Sequence, residues 1–214
     1  MSLRGSIGPP GAMSRRAFLR LSGAGIAGAA LFGMTGSGKV LAREDSSGSS
    51  LTAEFEEAAK EYDIPASLLL AMGYVNTRWE MPPPEASAHK PGSPKGRGAY
   101  GIMQLVRNNS ADTLGEASKL TGISEEDLKT DRKSNILGGA ALLADAQGER
   151  PFRLGDYFGA VDGKGGRGRA YRAVAGVGGG ELYAEQVFET LKKGASATTR
   201  DGEQIDLPAQ EEEL

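Results

Sequence analysis

From Leu51 to about Lys193 the apolar residues recur at helical spacing, and no stretch alternates convincingly at period two. That pattern restricts the chain to an all-α domain. Leu51, Phe55, Ala58 and Tyr62 share one stripe, with Thr52 as the predicted N-cap. Pro65 suits the first turn of a second helix reaching about Trp79, with Leu68, Met72, Val75 and Trp79 inward. Residues 80–99 cannot continue it, because prolines stand at 82–84, 91 and 94 with glycines after them. A short helix is predicted near Ile102–Val106. Ser110 is read as the cap of the next helix, which ends at Gly122. Ser124 with Asp127 suggests another short helix. Asp131 opens a longer one, with Ile136, Ala140 and Leu143 inward and Gly148 as its stop. Glu181–Lys193 closes the domain, with Tyr183, Val187 and Leu191 in register and Gly194 at its end. Residues 194–214 read as a polar tail or linker.

The flank before this domain differs in kind. Residues 1–42 hold Arg4, Arg15, Arg16, Arg20 and Lys39 and no acidic group, although the whole chain has 25 basic and 28 acidic residues. Residues 14–20, Ser-Arg-Arg-Ala-Phe-Leu-Arg, resemble the twin-arginine export motif. A Gly- and Ala-rich, mildly apolar stretch follows, and Val40-Leu41-Ala42 fits a small-residue cleavage site. This order predicts a twin-arginine signal peptide over 1–42, contact with a membrane only during export, and a final place outside the cell or in its envelope. Residues 43–50 form a solvated linker. Two glycine runs mimic nucleotide motifs without their context. Gly33–Lys39 lacks the hydroxyl after the lysine that would hold magnesium, and neither it nor Gly163–Gly168 follows a strand.

Composition excludes other chemistries. With no cysteine there is no disulfide framework and no thiolate nucleophile, and the single His89 cannot build a histidine zinc site. No cofactor or metal is implied. The acidic body also argues against nucleic acid, whose binding rests on phosphate neutralisation.

Three segments carry a resemblance. The first is Leu68-Leu-Leu-Ala-Met-Gly-Tyr-Val-Asn-Thr-Arg-Trp79. The second is Gly98-Ala-Tyr-Gly101-Ile-Met-Gln104-Leu105, and the third Asn135-Ile136-x-x-Gly-Ala140-x-x-Leu143. In order and spacing over residues 51–193 they resemble the lysozyme-like domain of lytic transglycosylases and goose-type lysozymes. That family writes the second segment Gly-Ala-x-Gly-Leu-Met-Gln-Leu. Among its branches the chain is similar to the helical module preceding the zinc domain of secreted N-acetylmuramoyl-L-alanine amidases, for which Leu128–Asp131 before the Asn135 helix is a further match. The resemblance implies a lysozyme-like helical fold and peptidoglycan glycan strands as partner, with a downstream amidase domain as a second partner.

The family's general acid is a glutamate at the end of the Leu-rich helix, usually followed by serine. Alignment through Trp79 places Asn76 and Thr77 there. An amide hydrogen-bonds a sugar but has no proton to deliver near neutral pH. The family's Tyr-Asn-Ala-Gly segment is replaced by Tyr157-Phe-Gly-Ala-Val-Asp162-Gly. Glu80, one turn beyond Asn76, and Asp162, in a loop, are the alternative acids, and each also reads as a solvated carboxylate. Gly73 is expected to leave room for a ligand beside Asn76. Thr77, Trp79, Tyr100, Gly101, Met103 and Gln104 are the candidate substrate-binding residues, with Trp79 as an apolar sugar platform unless it and Met103 are core. The basic loops His89–Arg97 and Lys164–Arg172 stand as candidates for stem-peptide carboxylates.

Three functions compete: a secreted peptidoglycan-binding module impaired in glycan cleavage and working with an amidase, an active lytic transglycosylase or muramidase cleaving MurNAc–GlcNAc bonds, and an exported helical adaptor.

Overall fold

The computed structural model describes residues 50–89, 97–148, 151, 153–162 and 180–211. The proposed signal peptide, both nucleotide-like glycine runs and the Lys164–Arg172 loop therefore lie outside the described residues, as does most of the His89–Arg97 loop. The fold below belongs to the unit that begins at Ser46.

The described residues are mostly helical, as the periodicity requires. Helix α1 (Leu51–Tyr62) buries Leu51, Phe55 and Ala58 and is capped by Ser50, not Thr52, its hydroxyl accepting from the Ala53 N–H. The cap shifts because Leu51 is itself helical and fully buried, so the last extended residue is Ser50. Helix α2 (Ala66–Thr77) is buried continuously from Leu68 to Gly73. It is apolar on nearly every side because other elements cover it. After the β1 (Ala99–Tyr100) and β2 (Leu105–Val106) hairpin come α3 (Thr113–Thr121), α4 (Glu125–Thr130) and α5 (Arg132–Gln147). Asp112, not Ser110, caps α3, since its carboxylate accepts from the Gly115 N–H at 2.9 Å. Ser124 and Asp131 cap α4 and α5, and Gly122 ends α3 in the left-handed conformation. Helix α5 packs on α1, α3, α4 and the short α6 (Phe158–Asp162), while α7 (Gly180–Lys193) closes over α2 and α6.

Two segments differ from expectation. Residues 102–106 form a turn and strand in place of a short helix, for reasons given with the site. The segment read as a polar tail holds strands β3 (Ala195–Thr198) and β4 (Gln204–Leu207), paired antiparallel with Ala195 opposite Leu207. Gln204-Ile-Asp-Leu207 alternates over only four residues, too briefly to stand out in sequence, yet it drives Ile205 and Leu207 into the helical core.

Charge fixes this hairpin in place. Arg132 donates to both carboxylate oxygens of Glu54, at 2.8 and 2.9 Å, and to Glu203 Oε1 at 3.1 Å. Glu203 Oε2 also accepts from the Leu51 N–H at 2.8 Å. The hydrogen bond to Glu54, against some desolvation, raises the Arg132 pKa above its ordinary value. One guanidinium thus joins the starts of α1 and α5 to the hairpin, in the forked geometry that arginine favours.

Candidate functional site

The Gly98–Leu105 segment is shaped by one asparagine. Asn135, fully buried in the first turn of α5, accepts from the Met103 N–H at 2.8 Å. Its Nδ2 donates to the carbonyls of Tyr100 at 3.0 Å and Leu128 at 2.7 Å. The segment cannot be helical while these backbone groups are drawn to one side chain. Gly101 has φ +70°, and a Cβ there would lie 2.2 Å from Asn135 Nδ2, so only glycine fits. Gln104 also takes a positive φ, 52°, and its Nε2 donates to the Gly101 carbonyl at 2.8 Å. The turn seats Ile102 and Met103 in the core, both without exposure. It leaves Tyr100 half-buried, with the Lys129 ammonium 5.4 Å from its ring centre.

Helix α2 ends in an unusual way. Arg78 and Trp79 are consecutive left-handed residues, φ 57° and 63°. Their N–H groups close the helix, Arg78 onto the Tyr74 carbonyl at 2.9 Å and Trp79 onto that of Gly73 at 3.3 Å. The reversal sends the indole back beneath its own helix, where Nε1 donates to the Leu70 carbonyl at 2.8 Å. Trp79 is 1% exposed. It is core, not a sugar platform. Met103 and Gly101 are likewise enclosed and present no side-chain surface to a ligand. The space expected at Gly73 is filled. A Cβ there would meet Phe55 Cζ at 2.8 Å and Ile102 and Trp79 at 3.2 Å, so its missing side chain admits neighbouring core and leaves no ligand space.

The alternative acids are engaged or enclosed. Glu80 Oε1 accepts from the Arg200 N–H at 3.0 Å, which anchors the β3–β4 turn. Asp162 is 5% exposed at the end of α6, not in a loop, and packs so closely on Gly180 that a Cβ there would lie 2.2 Å from the Asp162 carbonyl oxygen. Tyr157, in the segment that replaces Tyr-Asn-Ala-Gly, is also buried.

Asn76 and Thr77 occupy the last turn of α2, both half-buried. The Thr77 hydroxyl donates back to the Gly73 carbonyl at 3.4 Å. Asn76 Nδ2 and the Tyr183 hydroxyl on α7 are both buried and meet no other hydrogen-bond partner, while the Asn76 amide faces the phenol and lowers its pKa against the larger, opposite effect of burial. Burial pushes the Tyr183 phenol far above its ordinary pKa. Sequence reasoning placed Tyr183 on the inward stripe of the last helix but did not connect it with Asn76. The available signal was a phenol within an otherwise aliphatic stripe, which carries a hydroxyl into the interior. A groove of about 880 Å³ is lined by Tyr74, Val75 and Arg78 of α2 together with Phe158, Leu182 and Phe188, and neither Asn76 nor Thr77 is among its lining residues. Its aromatic pair Phe158–Phe188 has ring centres 5.2 Å apart, and the Arg78 guanidinium lies 4.2 Å from the Tyr74 ring centre. Among the described residues no group of His, Asp and Glu has the arrangement to hold a metal ion.

No family model matches the chain. Its sequence is similar to the membrane-bound lytic murein transglycosylase F 2 of Alkalilimnicola ehrlichii, 28% identical over 102 residues, which are 47% of this chain and 18% of that relative. The chain thus spans under a fifth of the relative's length. Together with the helical architecture, this similarity makes the fold an all-α, lysozyme-like domain of the transglycosylase type.

Proposed function

We propose that the chain is an exported peptidoglycan-binding module of lytic-transglycosylase-like fold that holds glycan strands without cleaving them. The observation that carries this reading is Asn76. It stands half-buried in the last turn of α2, where the family's general acid is expected, in a chain similar to a lytic murein transglycosylase. General acid catalysis contributes about 10²–10⁴-fold and needs a titrating proton, which an amide lacks. Glu80 is committed to the hairpin, so it does not replace the acid. The twin-arginine motif supports delivery to the cell envelope, and the resemblance to amidase-linked modules supports a role in presenting the wall to an amidase partner.

Purified sacculi provide the test. The chain is expected to sediment with them and to release no soluble muropeptides. Asn76→Glu is expected to bring release above background, because a carboxyl at the negative end of the α2 dipole, beside apolar Val75, keeps its proton to higher pH. Substantial release by the unaltered chain would make it an enzyme with another acid, and failure to sediment would leave an exported adaptor.

A further inference from the structure

The groove lined by α2, α6 and α7 is not purely apolar, and its charges narrow what it can hold. Tyr74, Phe158 and Phe188 give it three half-buried rings. Leu182, 59% exposed, is the large apolar side chain left open among the described residues. Two ionised groups of the lining have no partner of opposite charge among the described residues. Arg78, exposed at the left-handed end of α2, lies over the Tyr74 ring and makes no ion pair. An arginine held over a ring still offers N–H donors to a carboxylate. Glu185, exposed on α7, makes no ion pair either, whereas Glu189 one turn on is held by Lys193. In an intact wall the sugar strand is uncharged, its lactyl carboxyl being tied up in the bond to the stem peptide, so it would leave both groups unmet. The stem peptide carries what the groove lacks: carboxylates, the amine of its diamino acid, and alanine methyls between them. Size agrees as well. Along α7 the lining runs from Leu182 to Lys192, about 15 Å at the helical rise, and four extended residues span about 13–14 Å.

We propose that this groove is a second peptidoglycan site, which takes the stem peptide: Arg78 pairs with a stem carboxylate, Glu185 with the free amine of the diamino acid, and the rings cover the alanine methyls. The identity of the polymer rests on the peptidoglycan-binding reading; the site and its ligand go beyond it. Neither Asn76 nor Thr77 lines the groove, so sugar at the end of α2 and peptide in the groove are separate contacts with one polymer, and together they raise its avidity. Cross-linking consumes the amine of one stem and the terminal carboxylate of the other. The groove therefore favours stems that are not cross-linked.

Calorimetry with the N-acetylated peptide L-Ala–γ-D-Glu–L-Lys–D-Ala tests the assignment on the full chain and its variants. The unaltered chain binds it, more weakly as salt rises, because both charged groups are exposed. Arg78→Gln binds about two- to fivefold more weakly, the scale of one exposed ion pair. The turn tolerates this change, since glutamine already takes a positive φ at Gln104. Glu185→Gln loses a similar factor. The two losses follow different groups of the ligand. That of Arg78→Gln disappears with a probe whose carboxylates are carboxamides, and that of Glu185→Gln with a probe whose lysine is acetylated, whereas damage to the fold would weaken every probe alike. No peptide binding by the unaltered chain, or losses that ignore the charges of the probe, overturns the assignment. A GlcNAc–MurNAc tetrasaccharide without peptide tests the glycan reading separately. Its failure to bind while the peptide binds overturns that reading and keeps the groove. An equal loss of tetrasaccharide binding in Arg78→Gln makes the groove a sugar site and overturns the assignment. If circular dichroism shows Arg78→Gln unfolded, Glu185→Gln on the exposed face of α7 decides alone.

Discussion

Asn135 and Asn76 carry the same amide into the interior and meet opposite fates. Asn135 uses its carbonyl oxygen and both N–H groups on backbone partners from three places, Met103, Tyr100 and Leu128. Asn76 has a buried Nδ2 with no backbone partner and faces only the Tyr183 phenol. The first arrangement consumes all that the amide offers as donor, so nothing is left to recognise a ligand. The second makes no bond to the backbone and leaves hydrogen-bonding capacity at a half-buried helix end. An amide spent on the backbone builds architecture, whereas one without backbone partners at a half-buried helix end keeps capacity for a ligand.

The contrast breaks most visibly at Asn135. Replacing it with Ala strands the Met103 N–H and two carbonyls in the core, at a cost of about 3–5 kcal/mol in unfolding free energy. Urea denaturation measures it, and a loss below about 1 kcal/mol would mean that the turn is held by packing alone.

Alkaline pH acts on the other corner. The Tyr183 pKa is raised by burial above its ordinary value of 10.0. The folded chain keeps a proton that the unfolded chain releases, so this group's contribution is intact below pH 10 and declines above it. The expected loss is about 1.4 kcal/mol per pH unit above that point. Comparing urea midpoints of the unaltered chain and Tyr183→Phe at the same alkaline pH isolates this term, because Lys133, whose pKa is raised by Glu57, is common to both. Parallel pH dependence in the two chains would place the phenol in contact with water.

Asn76→Ala removes at most one neutral hydrogen bond and leaves the Tyr183 hydroxyl unmet. It is expected to cost about 1 kcal/mol, well below Asn135→Ala. Equal costs in the same urea titration would erase the distinction between the two amides.

The difference between these corners also explains what the sequence discloses. Helix existence, the stops at Gly122 and Gly148 and the caps Ser124 and Asp131 were legible, because each is decided within a turn or two of chain. The turn at 102–106 was not, because it is imposed by Asn135, an amide from a later helix. The β3–β4 hairpin is held by Arg132 and by two apolar residues in a strand too short to show its period. At the candidate site, the position of Asn76 was read from motif alignment. The enclosure of Trp79, the filling of the space at Gly73 and the engagement of Glu80 depend on a left-handed pair of residues and on a hairpin absent from that reading.

Tyr183→Phe should change neutral-pH stability least, by no more than about 0.5 kcal/mol. The substitution keeps the buried ring and removes only an oxygen that faces the Asn76 amide. Deleting such a hydroxyl returns its desolvation cost, while losing a bond to Asn76 subtracts a comparable amount, so the two nearly cancel. Thermal unfolding at neutral pH reads the balance. A Tm unchanged within error shows that the hydroxyl has no part in holding the fold. A large fall in Tm would instead place Tyr183 with Asn135, among the side chains whose hydrogen bonds shape the domain.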